Sequence, residues 1–129
     1  MQSILLVEDD KNLSEIVKFH LERIGFKVTV VTDGVSMFNE LRQAKPDLII
    51  LDIMLPGLDG YKLCGLLKNY EPYKDIPIII FTARTGEDAQ KLAQEMGCDA
   101  FLTKPFNPTT LLSTINRVLK QTEFRTSII

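Results

Sequence analysis

Five short runs of aliphatic residues recur along the chain, each separated from the next by a segment of helical period. That alternation admits few folds. The runs occupy 3–7, 27–31, 48–51, 78–81 and 100–103. Several are apolar on successive residues, the pattern of strands covered on both faces. Between them, Leu13, Ile16, Val17, Leu21 and Ile24 form one apolar helical stripe, with Gly25 as its stop. Met37, Phe38 and Leu41 mark a second helix that ends before Pro46, and Leu63, Cys64, Leu66 and Leu67 mark a third. Ala89, Leu92, Ala93 and Met96 mark a fourth that stops at Gly97. Leu111, Leu112, Ile115, Val118 and Leu119 mark a fifth, opened by Asn107-Pro108 as cap and first turn. The expected class is α/β, a parallel sheet with helices on both faces.

At 129 residues the chain suits one domain over 1–129, with a core at 2–121 and a tail at 122–129. Hydrophobic residues at 45% and charged residues at 25% exclude a disordered chain. A net charge of -2 gives no sign of nucleic-acid or membrane binding. The apolar runs are far too short to span a bilayer. Met1 leads into one of them and then into three acids, with no basic leader, so the expected location is cytoplasmic. Cys64 and Cys98 have no Cys or His at metal-site spacing and are expected as separate, reduced, packed thiols, with no disulfide and no zinc. The lone His20 reads as a core-edge or solvated imidazole beside the first helical stripe.

Ligands of open parallel sheets bind beyond the carboxyl ends of the strands, so the polar residues there carry the chemistry. Glu8, Asp9 and Asp10 follow the first strand; Asp52 closes the third; Thr82 follows the fourth; Lys104-Pro105 follows the fifth. Each has a structural explanation alone: an acidic helix start, a turn residue, a helix cap, a solvated lysine. Their arrival at one rim from four strands is what points to a site.

The segments Val7-Glu8-Asp9-Asp10, Leu51-Asp52-Ile53-Met54-Leu55-Pro56-Gly57-Leu58-Asp59-Gly60, Phe81-Thr82-Ala83 and Leu102-Thr103-Lys104-Pro105-Phe106 resemble, in order and spacing, the signature segments of response-regulator receiver domains. The resemblance covers essentially 2–121. It implies a flavodoxin-like, doubly wound, five-stranded parallel sheet of order 2-1-3-4-5 with five helices. It implies a two-component phosphoacceptor, Asp52, taking its phosphoryl group from a histidine kinase or a histidine phosphotransfer protein. Such a domain catalyses only its own phosphorylation and dephosphorylation.

The chemistry of the rim agrees with that resemblance. An anionic nucleophile meeting a phosphoryl group beside Glu8 and Asp9 calls for a divalent cation, and magnesium prefers oxygen ligands. Asp9 and Asp52 are the expected direct ligands, with Glu8 holding a bound water; the Met54 backbone carbonyl is a ligand that the resemblance implies, with manganese as a substitute metal. Thr82 and Lys104 are expected to contact phosphoryl oxygens. Lys104-Pro105 is a cis-peptide candidate. Gly57 and Gly60 fit a turn with unusual φ values.

The resemblance further implies that Thr82 and Phe101 form a switch, although a permanently buried core Phe is the favoured reading of Phe101. Met54 and Arg84 would tune the lifetime of the acyl phosphate. The surface of the fourth helix, fifth strand and fifth helix (86–97, 100–103 and 108–121) would bind a downstream protein or a second copy, with no direct contact to nucleic acid or membrane. No output domain is expected after the fifth helix, which fits a stand-alone receiver or a piece of a longer chain. An aspartate-nucleophile phosphohydrolase of the haloacid dehalogenase type needs a second Asp two residues after the first, and position 54 is Met. A flavin-binding flavodoxin would need a phosphate loop where the acids stand, and a cobalamin site would need a His at the rim.

Overall fold

The computed structural model describes residues 2–127 apart from Pro56, Leu58, 84–86 and Phe106, and omits the side chains of 87–90 and 123–127. All five apolar runs are strands: β1 (Ser3–Val7), β2 (Lys27–Val31), β3 (Leu48–Asp52), β4 (Ile78–Thr82) and β5 (Ala100–Thr103). The third and fourth reach one residue past the apolar run, because ladder pairing uses only backbone N–H and C=O groups. Asp52 is thereby in register with Phe81, and Thr82 with Thr103. Alternating with them are α1 (Lys11–Arg23), α2 (Gly34–Gln43), α3 (Gly60–Lys68), α4 (Glu87–Glu95) and α5 (Pro108–Ser127).

The strands are all parallel, in the order β2-β1-β3-β4-β5. This is the expected flavodoxin-like arrangement. Every residue of β3 and β4 is buried, whereas the edge strands β2 and β5 are covered only in part. The continuous apolar runs of the interior strands follow from that two-sided cover.

The period of two sorts the strand side chains between two cores. Leu5, Val7, Ile49, Leu51, Ile78 and Ile80 meet Met37 and Leu41 of α2, Leu63 and Leu67 of α3, and Ala93 of α4. On the other face, Ile4, Leu6, Leu48, Ile50, Ile79 and Phe81 meet Val17 and Leu21 of α1 and Leu111, Ile115 and Val118 of α5. Each such large aliphatic side chain contributes about 1.5–3 kcal/mol when fully buried, so a slip by one residue would forfeit both cores.

Four helices begin on a polar cap. Asp10 accepts from Leu13 N at 3.1 Å, Asp33 from Ser36 N at 2.7 Å, and Asp59 from Tyr61 N at 3.0 Å. Asn107 accepts from Thr110 N at 2.7 Å, which places Pro108 at the first helical position as expected. The stop after α1 is Gly25, with φ +103. His20 is half-buried and meets Phe19 edge-on at 5.8 Å, as a core-edge imidazole should. The Ala89 side chain, assigned to the fourth stripe, lies outside the described residues.

Candidate functional site

The carboxyl ends of β1, β3, β4 and β5 meet at one rim, and the acidic triplet that follows β1 divides there. Glu8 turns inward and is buried at 1% exposure, Asp9 stays exposed at the rim, and Asp10 is the N-cap of α1. Three neighbours thus have three roles. Glu8 Oε2 accepts from Asp10 N at 3.0 Å, so the helix start holds the glutamate in place.

Asp52 closes β3 with 3% exposure, its Oδ1 accepting from Met54 N at 2.8 Å. Lys104 bridges the two buried acids. Its Nζ lies 2.6 Å from Glu8 Oε1 and 2.9 Å from Asp52 Oδ2, and 4.8 Å from the centre of the Phe81 ring beneath it. A solvated lysine is ruled out, since the side chain is 20% exposed. The Lys104-Pro105 bond is cis, as expected. Thr82 ends β4 fully buried, and its carbonyl accepts from Lys104 N at 2.7 Å.

One carboxylate oxygen from each of Glu8, Asp9 and Asp52 lies within 4.8 Å of the others. At an effective dielectric near 20, two unit charges at that separation repel by about 3–4 kcal/mol. One ammonium against three carboxylates leaves negative charge in excess. Burial raises the Glu8 carboxyl above its ordinary value; the Asp10 N–H and Lys104 oppose that, and Asp52 adds to it. For Lys104, burial works to lower the ammonium. Its hydrogen bonds to Glu8 and Asp52 and their charges outweigh burial, and it lies above the ordinary lysine value.

The donors are hard oxygens close enough to share one small cation, the chemistry that magnesium selects. The cluster therefore fits the metal that the sequence implies.

The turn after Asp52 needs its glycines for two different reasons. Gly57 has φ +70, a conformation costly for a residue with a Cβ. Gly60 has no positive φ and is needed for space instead: a Cβ there would stand 2.5 Å from Ile53 Cα. Its role is close approach of α3 to the loop after Asp52. Met54 is 52% exposed and offers no carboxylate where a haloacid dehalogenase needs its acid.

Phe101 is half-buried on β5 and packs against the core beneath α2, α3 and α4. Arg84 lies outside the described residues. Sequence reasoning missed the Phe81 ring under Lys104, which only the β3–β4–β5 neighbourhood reveals. It also missed the pairing of Lys68 with Asp99 and the meeting of Cys64 with Cys98. The cysteines are free thiols as expected, but they are not separate.

Residues 4–116 match the family model described as response regulator receiver domain. The chain is 37% identical over 123 residues to the transcriptional regulatory protein GltR of Pseudomonas aeruginosa, covering 95% of this chain and 51% of that protein. The chain spans about half the length of the curated relatives it matches. A putative response regulator of Chloroflexus aurantiacus superposes with a TM-score of 0.87 at 30% identity, over 92% of this chain and 98% of the other. The receiver domain of the sensor histidine kinase PA1611 of Pseudomonas aeruginosa, solved with magnesium coordinated in its active-site cleft, gives 0.82 at 30% identity, with coverage of 92% and 98%. No helix among the described residues is long and apolar enough to cross a membrane.

Proposed function

Because the chain belongs to the response regulator receiver family of two-component signalling, we propose that Asp52 accepts a phosphoryl group from a phosphohistidine of a sensor kinase or phosphotransfer protein. The observation that carries this reading is the convergence of Glu8, Asp9 and Asp52 on one rim with Lys104 between the buried pair. Asp9, Asp52 and the Met54 carbonyl would hold a magnesium ion, with Glu8 completing the set. When bound, the dication neutralises charge between an anionic acceptor and an anionic phosphoryl group.

The chain's own residues do the rest. An Asp52 carboxylate oxygen forms the new O–P bond while the N–P bond of the donor breaks, and the imidazole leaves with the electron pair and takes up a proton. Lys104 already touches Asp52 and receives a phosphoryl oxygen on its ammonium; Thr82 offers a hydroxyl to another. The chain works as a phosphoacceptor switch whose only catalysis is its own phosphorylation and dephosphorylation.

The signal follows from competition for Thr82. A hydroxyl drawn to the phosphoryl group frees space beside β5, and the half-buried Phe101 shifts into it, changing the surface of α4, β5 and α5. That surface binds a downstream protein or a second copy. Met54, exposed two residues after Asp52, would set how long the phosphoryl group lasts, a role the sequence resemblance also gives to Arg84. The chain is read as one receiver domain over 1–129, acting in the cytoplasm.

Intact mass after incubation with acetyl phosphate and magnesium tests the central step. A gain of about 80 Da that needs magnesium is expected, and its absence in folded protein would sink the reading. Amide shifts with and without beryllofluoride test the switch, with changes expected along α4, β5 and α5.

A further inference from the structure

Cys64 and Cys98 are 34 positions apart in sequence, yet the fold brings their sulfurs to 2.7 Å. Cys64 lies on α3, fully buried; Cys98 lies in the turn between α4 and β5, half-buried and so open to a small reagent. Both are free thiols, and Cys64 Sγ also approaches the Met96 carbonyl at 3.8 Å.

Contacts that do not involve sulfur hold the two segments together. Lys68 Nζ, one turn along α3, donates to Asp99 Oδ2 at 2.7 Å and to the Ile76 carbonyl at 2.9 Å. Asp99 Oδ2 also accepts from Ile78 N at 2.8 Å. A Cβ on Gly97 would touch Lys68 Cγ at 3.5 Å, so the turn lies directly on α3. The sulfurs are therefore placed by their surroundings.

We propose that Cys64 and Cys98 are a redox modification site, forming a reversible internal disulfide by exchange with a small-molecule disulfide such as glutathione disulfide. Cys98 Sγ, on the half-buried residue of the pair, attacks one sulfur of the reagent, forming a mixed disulfide and releasing one glutathione thiolate. Cys64 thiolate then attacks Cys98 Sγ and expels the second. The two cysteines lose two electrons and two protons; the reagent is reduced to two thiols, which take up those protons.

The electrostatics place the shared charge on Cys64. Hydrogen bonding to Cys98 lowers the Cys64 thiol below its ordinary value, and the same bond pushes Cys98 up, as for two thiols sharing one proton. Cys98 therefore attacks with its proton passing to Cys64 across the short contact, and Cys64 gives that proton up to the departing glutathione before the second attack. The product bond would staple α3 to the turn that leads out of α4. Neither the bond nor its formation involves Asp52.

The whole chain, equilibrated anaerobically in glutathione buffers of increasing oxidation and quenched with an alkylating reagent, tests the proposal by intact mass and peptide mapping. The oxidised form is expected about 2 Da lighter, unalkylated, with Cys64 and Cys98 peptides joined and separated again by dithiothreitol. Cys64→Ala should stop at a mixed disulfide about 305 Da heavier, and Cys98→Ser should react at least tenfold more slowly than the native chain. A native chain that stays fully alkylated, retains a glutathione adduct, or links to a second copy overturns the proposal. Equal reactivity of Cys98→Ser overturns it as well.

Discussion

Two half-buried lysines stand at opposite ends of the sheet, and their surroundings differ in one respect. Lys68 meets Asp99 near the start of β4 and β5, and that pair also bonds the Ile76 carbonyl and the Ile78 N–H. Among the described residues, one cation faces one anion there, with backbone groups beside them. Lys104 meets two buried acids at the other end, with Asp9 beside them. A balanced buried pair holds segments together; an unbalanced one leaves a charge that only something from outside can offset. Charge balance separates a structural ion pair from a site more sharply than burial does, since both lysines are largely covered.

The sharpest test of that contrast is Asp52→Asn, expected to abolish phosphoryl uptake from acetyl phosphate entirely, as intact mass would show. The same substitution should shrink the rise in melting temperature that magnesium gives the native chain. Lys68→Met should instead cost about 3 kcal/mol of stability in urea unfolding, because it leaves Asp99 without its cation, while phosphoryl uptake and the magnesium effect persist. A lysine at the junction that proved essential for phosphorylation would break the comparison.

Smaller effects sharpen it. Replacing Met54 by Asn, whose amide can orient water, should speed phosphate release severalfold, and an unchanged decay would remove Met54 from the site's working parts. Glu8→Gln should act mainly through pH. With its carboxyl raised in the fold, the native glutamate lowers stability progressively as pH rises above the ordinary value of 4.5. The glutamine variant should lose that slope in urea midpoints measured upward from pH 4.5. Lys104 has the same sign in a higher window: its raised value contributes stability below the ordinary 10.5 that is lost as pH climbs through the folded value.

The strands and helices were legible because their signals are local. An apolar run covered on two faces, a stripe of helical period and the Asn107-Pro108 cap each lie within one window of sequence. Asp52 and Thr82 are strand residues that hydropathy could not assign, since their membership rests on backbone pairing alone. The rim residues were legible because strand ends in a parallel sheet share one edge. The division of labour among Glu8, Asp9 and Asp10 was not, because it depends on side-chain direction at the turn into α1. The Lys68–Asp99 and Cys64–Cys98 meetings join residues 31 and 34 positions apart, and no periodicity within either segment reports them. Gly60 was singled out correctly, but its cause is a neighbour's backbone, which the sequence does not display.

The sheet order has a mechanical corollary. Asp52 is mounted on the middle strand, laddered on both sides, while Lys104 follows the outermost one, laddered on one side only. A tug between the two is resisted unequally. On the proposed reading Asp52 is the fixed jaw and Lys104 the compliant one, so new charge at Asp52 would move the molecule's margin and leave its centre in place.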